Sequence, residues 1–187
     1  DTFEYFAGFV FEDEILNSGK IQHNPRGVCA LVTPWNFPLM QAVLKIAPCV
    51  AAGNTFVLKP SELASLSCLK FVSEALPPGV ANVITGGVET GQALASHPDV
   101  DFLSFTGSGK GGQSVLQASA QFTRPSNVEL GGKGAMIVFD DAWPVDWAML
   151  GIFQCSGQVC SATSRLLVQD EKFLDAVAHA ASTLKQG

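Results

Sequence analysis

Short apolar strands alternate with helical stretches along most of the chain, and this alternation restricts the possible folds more than any other feature. The connections between them are short and rich in glycine and proline. Such alternation is typical of a parallel sheet with helices on both faces. The sequence therefore predicts an α/β fold with a doubly wound parallel sheet. The expected strands lie near residues 28–32, 54–58, 81–85 and 101–105, and the expected helices near 39–52, 62–75, 88–96 and 111–121.

The pattern changes after Phe122, where strands near 126–130 and 135–139 come in close succession. A helix near 145–154, a strand near 165–169 and a last helix near 171–185 follow. We place a domain boundary near residue 124. Residues 1–124 then form the first domain, with an N-terminal helix over 2–14 and an extended run over 21–32, and residues 125–187 begin a second α/β domain.

The composition excludes several classes of protein. A net charge of -6, with 11 Lys and Arg that form no run, argues against a nucleic-acid partner. No apolar stretch is long enough for a membrane helix. The 5 cysteines and 3 histidines show no paired spacing, so we expect no disulfide framework, no metal site and a reducing intracellular compartment. Because the chain starts with Asp1 instead of Met, we expect an internal fragment of a longer protein.

Three residues in separate motifs suggest covalent chemistry on a carbonyl group. Cys160 follows the Gly157-Gln158 turn and offers a thiolate, and Glu129 precedes two glycines and offers a carboxylate base. Asn36, between two prolines, offers an amide that can donate to an oxyanion. Each residue also has a structural interpretation: a buried thiol, a strand-end carboxylate and a turn residue. Their occurrence together favours the catalytic interpretation.

The segment Gly107–Gly112 matches G-x-G-x-x-G between a strand and a helix. On a plain dinucleotide-fold interpretation, Glu129 is the acidic residue that holds the cofactor ribose, so two roles compete for this residue. A flexible glycine turn is the alternative for the segment as a whole. Gln113 follows the last glycine where a phosphate-binding P-loop requires Lys, which excludes that motif.

From about Gly27 to its end, the chain resembles the aldehyde dehydrogenase family. The resemblance rests on five motifs in the family's order: PWNFP at 34–38, KPSE at 59–62, FTGS at 105–108, ELGGK at 129–133 and GQVC at 157–160. It implies a Rossmann-like NAD domain followed by the start of a catalytic domain. It also implies the catalytic site of that family, in which Cys160 is the nucleophile, Glu129 is the base and Asn36 donates a hydrogen bond to the oxyanion.

The resemblance assigns the cofactor contacts as well. Lys59 and Glu62 would bind the adenosine ribose, which leaves Glu129 for catalysis, and the Glu62 carboxylate would favour NAD over NADP by repelling a 2'-phosphate. The other contacts that it implies are Gly86 near the adenine, Trp35 and Ser108 beside the pyrophosphate, and Lys45 near the nicotinamide ribose.

Within the family the chain looks most similar to betaine and amino-aldehyde dehydrogenases. In betaine aldehyde enzymes of the plant type, aromatic rings surround the quaternary ammonium of the substrate. The corresponding positions of this chain hold Phe37, Leu44 and Gln154, so only one ring is present. The helices before Leu76 and Cys160 look about one turn shorter than usual. We expect a small-molecule aldehyde substrate and a homo-oligomer, dimer or tetramer, at full length. The alternative is a dinucleotide-binding protein or fragment without turnover.

Overall fold

The computed structural model describes residues 1–9 and 23–185, and it divides into two compact units. The first unit is Asp1–Leu130 and the second is Gly131–Gly187. The first helix, α1, covers Thr2–Phe9. The rest of the expected helix over 2–14, and the start of the extended run over 21–32, lie outside the described residues.

The first unit is built on a five-stranded sheet in which every pair of neighbouring strands is parallel. The spatial order is β3-β2-β1-β4-β5, so the chain moves outward from β1 to β3 and then crosses back to place β4 on the other side of β1. The order therefore reverses between β1 and β4. The strands are β1 (Val28–Val32), β2 (Thr55–Lys59), β3 (Ala81–Val83), β4 (Phe102–Gly107) and β5 (Ser126–Leu130).

Helices follow the first four strands and supply the crossovers that parallel strands require. Helix α2 contains Pro48 one turn before its end and starts after Phe37, which has a left-handed backbone with φ 50°. Helix α3 begins at Leu66 instead of near 62, because residues 61–64 form a turn closed by the Ala64 N–H and the Ser61 carbonyl. The helices are α2 (Pro38–Ala51), α3 (Leu66–Ala75), α4 (Val88–Ala95) and α5 (Gly109–Gln121).

Both faces of the sheet carry an apolar core, as a doubly wound fold requires. Successive side chains of a strand point to opposite faces. In β1, Cys29 and Leu31 pack with α2 and α3, whereas Ala30 belongs to the core formed with α4 and α5. These contacts and the strand order confirm the predicted α/β fold with a doubly wound parallel sheet.

The second unit contains a two-stranded parallel sheet and two helices. Its small core includes Val138, Ala148 and Phe173, and the Trp143 ring meets the Phe173 ring edge-on with centroids 5.4 Å apart. A short 3-10 turn at Gln154–Gly157 follows α6. The elements are β6 (Ala135–Val138), α6 (Val145–Phe153), β7 (Arg165–Val168) and α7 (Glu171–Ser182).

Strand β5 lies in a different place from the one that the sequence suggested. It was expected to open a second domain after residue 124, but it pairs with β4 and forms the edge of the first sheet. The division between the units consequently falls between Leu130 and Gly131. The first strand of a new series can still pair with the preceding sheet, because the sequence pattern shows where strands occur but not which strands pair.

Candidate functional site

Strands β4 and β5 present a polar surface on one face of the sheet. The parallel register pairs Ser104 with Asn127 and Thr106 with Glu129. The alternate residues Leu103 and Val128 belong to the apolar core on the opposite face. The period-2 alternation of a strand therefore places Glu129 among polar neighbours, on the same face as α2.

These polar side chains line a cavity of about 860 Å³ within the first unit. Helix α2 contributes Gln41, Leu44 and Lys45 to the lining, and β1 contributes Cys29 and Leu31. Neither Lys59 nor Glu62 lines it. The cavity thus holds one of the two candidate acidic residues, Glu129, and excludes the other. Its remaining lining residues are His23, Asn24, Pro25, Arg26, Pro48, Cys49, Ala52, Asn54, Phe102, Ser104, Thr106 and Asn127.

Lys45 is a buried amine in this cavity, with 9% of its surface exposed. Its Nζ donates a hydrogen bond of 2.8 Å to the Ser104 Oγ. Burial lowers the pKa of Lys45 to about 8, because a charged ammonium loses solvation there, and the Glu129 carboxylate opposes the shift. An amine with this pKa is partly deprotonated just above neutral pH, whereas a lysine at the ordinary value of 10.5 is still fully charged there.

Trp35, Asn36 and Ser108 lie at the carboxyl ends of β1 and β4, where the strand order reverses. In open α/β sheets, ligands bind in the crevice at this position. Ser108 is the N-cap of α5, and its Oγ accepts a hydrogen bond of 3.2 Å from the Gly111 N–H. The α5 N-terminus has further N–H groups and a partial positive charge, both suited to a phosphate group.

Lys59 and Glu62 meet at the carboxyl end of β2. The buried Lys59 Nζ donates to the Pro60 carbonyl oxygen at 3.1 Å and lies 3.8 Å from a Glu62 carboxylate oxygen. The Glu62 side chain is 53% exposed, so its carboxylate can accept further hydrogen bonds. Gly86 has φ 148°, and a β-carbon there would collide with Thr90. Only glycine therefore fits this backbone beside α4 without strain.

Cys160 belongs to the second unit, where it lies in a turn and is exposed. The Ala162 N–H closes this turn on the Val159 carbonyl at 3.1 Å. Just before it, Cys155 and Ser156 have positive φ values of 50° and 58°, and Gly157 follows with 74°. Three consecutive left-handed residues end the helical path sharply and bring the chain into the Cys160 turn.

Ser104 and Asn127 belong to the site although no sequence motif pointed to them. Their signal is alternation: Ser104 and Thr106 in β4, and Asn127 and Glu129 in β5, occupy alternate positions of two adjacent strands, with Phe105 and Val128 between them. An apolar core face would need apolar residues at these four positions, so the polar residues there indicate a lined cavity. The described residues contain no group of three or more His, Cys, Asp and Glu side chains able to hold a metal.

Comparison with known protein families matches the model of the aldehyde dehydrogenase family over residues 1–187. The chain belongs to the aldehyde dehydrogenase family. It is 51% identical over 172 residues to betaine aldehyde dehydrogenase 1 of Oryza sativa subsp. japonica, a match that covers 86% of this chain and 34% of the rice protein. It is 50% identical over 173 residues to aminoaldehyde dehydrogenase 2 of Zea mays, with 86% and 34% covered.

Solved structures of the family have the same fold. Betaine aldehyde dehydrogenase from Staphylococcus aureus in complex with NAD+ is 36% identical, with a TM-score of 0.89 over 100% of this chain and 41% of that one. The NAD+ complex of an aldehyde dehydrogenase from Bacillus cereus is 32% identical, with a TM-score of 0.90 over 100% of this chain and 42% of that one. The chain thus spans about a third of the length of the curated relatives. Within the described part, no helix is long and apolar enough to cross a bilayer.

Proposed function

We propose that the protein, at its natural length, oxidises an aldehyde to a carboxylic acid with NAD as the hydride acceptor. The observation that carries this proposal is the separation of the two acidic residues. Glu62 pairs with Lys59 at the end of β2, whereas Glu129 lines the cavity beside Lys45. Two carboxylates in two places support two roles: Glu62 binds ribose hydroxyls, and Glu129 is free to act as a base.

The carboxyl end of the first sheet fits a dinucleotide. Lys59 and Glu62 supply a donor and an exposed acceptor for the adenosine ribose, and Gly86 gives the chain beside α4 a backbone that only glycine adopts without strain. Trp35 and the N-cap Ser108 would flank the pyrophosphate, and Lys45 would lie toward the nicotinamide ribose. The negative charge of Glu62 favours NAD over NADP. These assignments give the first unit the role of an NAD-binding domain and the second the role of a partial catalytic domain.

In the proposed reaction, the Cys160 thiolate attacks the aldehyde carbon and forms a thiohemiacetal. The Asn36 amide and the Cys160 N–H hold the resulting oxyanion. NAD, when bound, would supply the hydride acceptor for this carbon, and loss of the hydride converts the thiohemiacetal into a thioester on Cys160. Glu129 then removes a proton from a water molecule, which attacks the thioester carbonyl and releases the carboxylic acid and the thiol.

The substrate proposed is an amino-aldehyde instead of betaine aldehyde. Relatives of both names are about equally similar to this chain. A quaternary ammonium is stabilised by aromatic faces, and of the three corresponding positions only Phe37 carries a ring. Leu44 lines the cavity and supplies apolar surface without that attraction. Measuring kcat/KM for a primary amino-aldehyde and for betaine aldehyde tests this choice, and a preference for betaine aldehyde would contradict it.

The functional experiment is pre-steady-state kinetics of Glu129→Gln in the protein at its natural length. We expect the first-turnover burst of NADH to remain while the steady-state rate falls by about 10² or more, in line with loss of a general base. Glu74→Gln, a change of an exposed carboxylate on α3, is the matched control and should leave both phases unchanged. Loss of NAD affinity with an unchanged steady-state rate at saturating NAD would instead assign Glu129 to the ribose.

The proposal extends to the assembly state and the cellular compartment of the natural-length protein. We propose a homo-oligomer, a dimer or tetramer, at natural length, in a reducing intracellular compartment. The relatives include an enzyme named as chloroplastic from Beta vulgaris and one named as peroxisomal from Pisum sativum. Sedimentation of the natural-length protein measures the assembly state directly.

A further inference from the structure

Two cysteines in the first unit form a contact pair that the proposed reaction does not use. Cys29 is the second residue of β1 and Cys49 lies in the last turn of α2, and both belong to one apolar core. They are 3% and 8% exposed, and their thiols share a hydrogen bond. The packing of α2 on β1 therefore places the two thiols within hydrogen-bond reach of each other.

The hydrogen bond makes the two thiols chemically unequal. As the acceptor of the bond from Cys49, Cys29 has a lowered pKa, although burial and the Asp101 carboxylate oppose the shift. Donating that bond raises the pKa of Cys49, and burial raises it further. The Cys49 thiol has a second acceptor within reach, because its sulfur lies 3.9 Å from the Thr55 carbonyl oxygen. Cys29 is accordingly the better nucleophile of the two, and Cys49 keeps its proton.

Both thiols are reachable although they are buried, because both line the cavity of about 860 Å³. Cys68 offers an internal comparison. It belongs to the same core, but its thiol donates to the Pro38 carbonyl oxygen at 3.5 Å and it does not line the cavity. A small neutral reagent that enters the cavity meets Cys29 and Cys49 and not Cys68.

We propose that Cys29 and Cys49 form a dithiol modification site that a small hydroperoxide oxidises to an intramolecular disulfide. The Cys29 thiolate attacks one peroxide oxygen, the O–O bond breaks, and the products are a Cys29 sulfenic acid and hydroxide or alkoxide. The Cys49 thiol then attacks the sulfenic sulfur and releases water. The two sulfurs together lose two electrons, and the peroxide gains them.

The product would connect β1 covalently to α2. Cys49 lies four residues after Lys45, so the two side chains share one face of the helix, one turn apart. The bond would fix the helix turn next to the cavity amine. This inference depends on the first unit alone and does not rest on the proposed function.

The experiment treats the natural-length protein with hydrogen peroxide, blocks free thiols and maps tryptic peptides by mass spectrometry. Trypsin cleaves after Arg26 and Lys45, which puts Cys29 and Cys49 on separate peptides, 27–45 and 46–70. We expect these two peptides linked, with the combined mass reduced by two hydrogen atoms, and separated again by a reductant. Full recovery of both as unlinked peptides, under conditions that oxidise the exposed Cys160, would overturn the proposal.

Peptide 46–70 also contains Cys68, so variants assign the bond. Cys68→Ala should retain the link and Cys49→Ala should abolish it. The opposite result would overturn the assignment to Cys49.

A second measurement avoids oxidation altogether: phenylarsine oxide binds two neighbouring thiols and releases water. The reduced wild-type protein should bind one more equivalent than Cys49→Ala, and equal binding would show that the two thiols do not act as a pair.

Discussion

Replacing Lys45 with methionine should stabilise the fold near neutral pH, although it removes a residue from the candidate site. Methionine keeps the unbranched shape of the lysine side chain without its charge. Lys45 is buried, and the folded state lowers its pKa from 10.5 to about 8. At pH 7 the Lys45 amine is therefore protonated in both states, but the folded protein binds that proton less tightly than the unfolded chain does.

The size of the effect follows from the pKa difference. A change of one pH unit in pKa corresponds to about 1.4 kcal/mol, so a pKa lower by about 2.5 costs the folded state about 3 kcal/mol at pH 7. The variant also leaves the Ser104 hydroxyl without its partner at 2.8 Å, which costs about 1–3 kcal/mol. The second cost does not depend on pH, so the pH dependence isolates the first.

The sign follows from proton counts. Between pH 8 and 10.5 the unfolded chain keeps a proton on Lys45 that the folded state has lost, so the wild-type free energy of unfolding rises with pH. The penalty is complete below about pH 8 and absent above about 10.5. The free energy of unfolding of Lys45→Met, relative to wild type, should therefore fall by about 2 kcal/mol between about pH 7 and 9.5.

Urea unfolding at several pH values measures this difference. Lys70→Met is the matched control, because Lys70 is exposed on α3 and its partner Glu74 is 3.8 Å away on the surface. It should change stability by less than about 0.5 kcal/mol, with no trend over this pH range. A Lys45→Met difference that stays constant or grows with pH would refute the argument from burial.

Three further predictions concern the backbone, the cofactor and the length of the chain. Gly27→Ala should lower the free energy of unfolding by about 2–4 kcal/mol, because φ is 120° and the new β-carbon would collide with the Asp101 carboxylate that accepts from the Val28 N–H. Gly79→Ala, at φ 83° with no atom within 4 Å, should cost about 1–2 kcal/mol in the same urea assay. In the natural-length enzyme, NAD should be preferred to NADP by about 1–3 kcal/mol, and Glu62→Gln should narrow that difference in kcat/KM. Residues 1–187 alone should not oxidise an aldehyde at ordinary enzyme rates, because the chain spans about a third of its relatives' length; steady-state NADH formation by the purified fragment checks this.

Much of the first unit could be predicted from the sequence because its signals are local. Each strand up to β4 is a mostly apolar stretch of three to six residues, and each following helix has an apolar face. The position of β5 could not be predicted in this way. Its pairing with β4 depends on contacts between distant residues, and Thr123, with φ 52°, turns the chain back toward the sheet without a clear sequence signal.

In the candidate site, too, residues in local motifs could be predicted from the sequence, and residues that depend on tertiary packing could not. Cys160 and Glu129 occur in short motifs whose chemistry can be proposed from residue types, and the role proposed for Lys59 comes from the family resemblance. The environment of Lys45 cannot be inferred in that way. A lysine in a helix sequence normally suggests an exposed position, and only the folded structure shows that the Lys45 amine reaches from α2 to Ser104 of β4. Likewise, the Cys29–Cys49 contact joins residues from two elements whose sequences read as ordinary core segments.

The cavity and the unusual lysine have a common structural origin. Helices α2 and α3 cover β1 and β2 with apolar side chains, whereas the adjoining face of β4 and β5 carries hydroxyl, amide and carboxylate groups. A polar strand face cannot pack against an apolar helix without leaving polar groups unsatisfied, so space remains beside α2 and Lys45 is the residue that reaches across it. That position removes the amine from bulk water and lowers its pKa, with Glu129 as the nearby opposing charge. The burial of the Lys45 amine therefore makes the first unit less stable and also places a group with a pKa of about 8 near the proposed base Glu129.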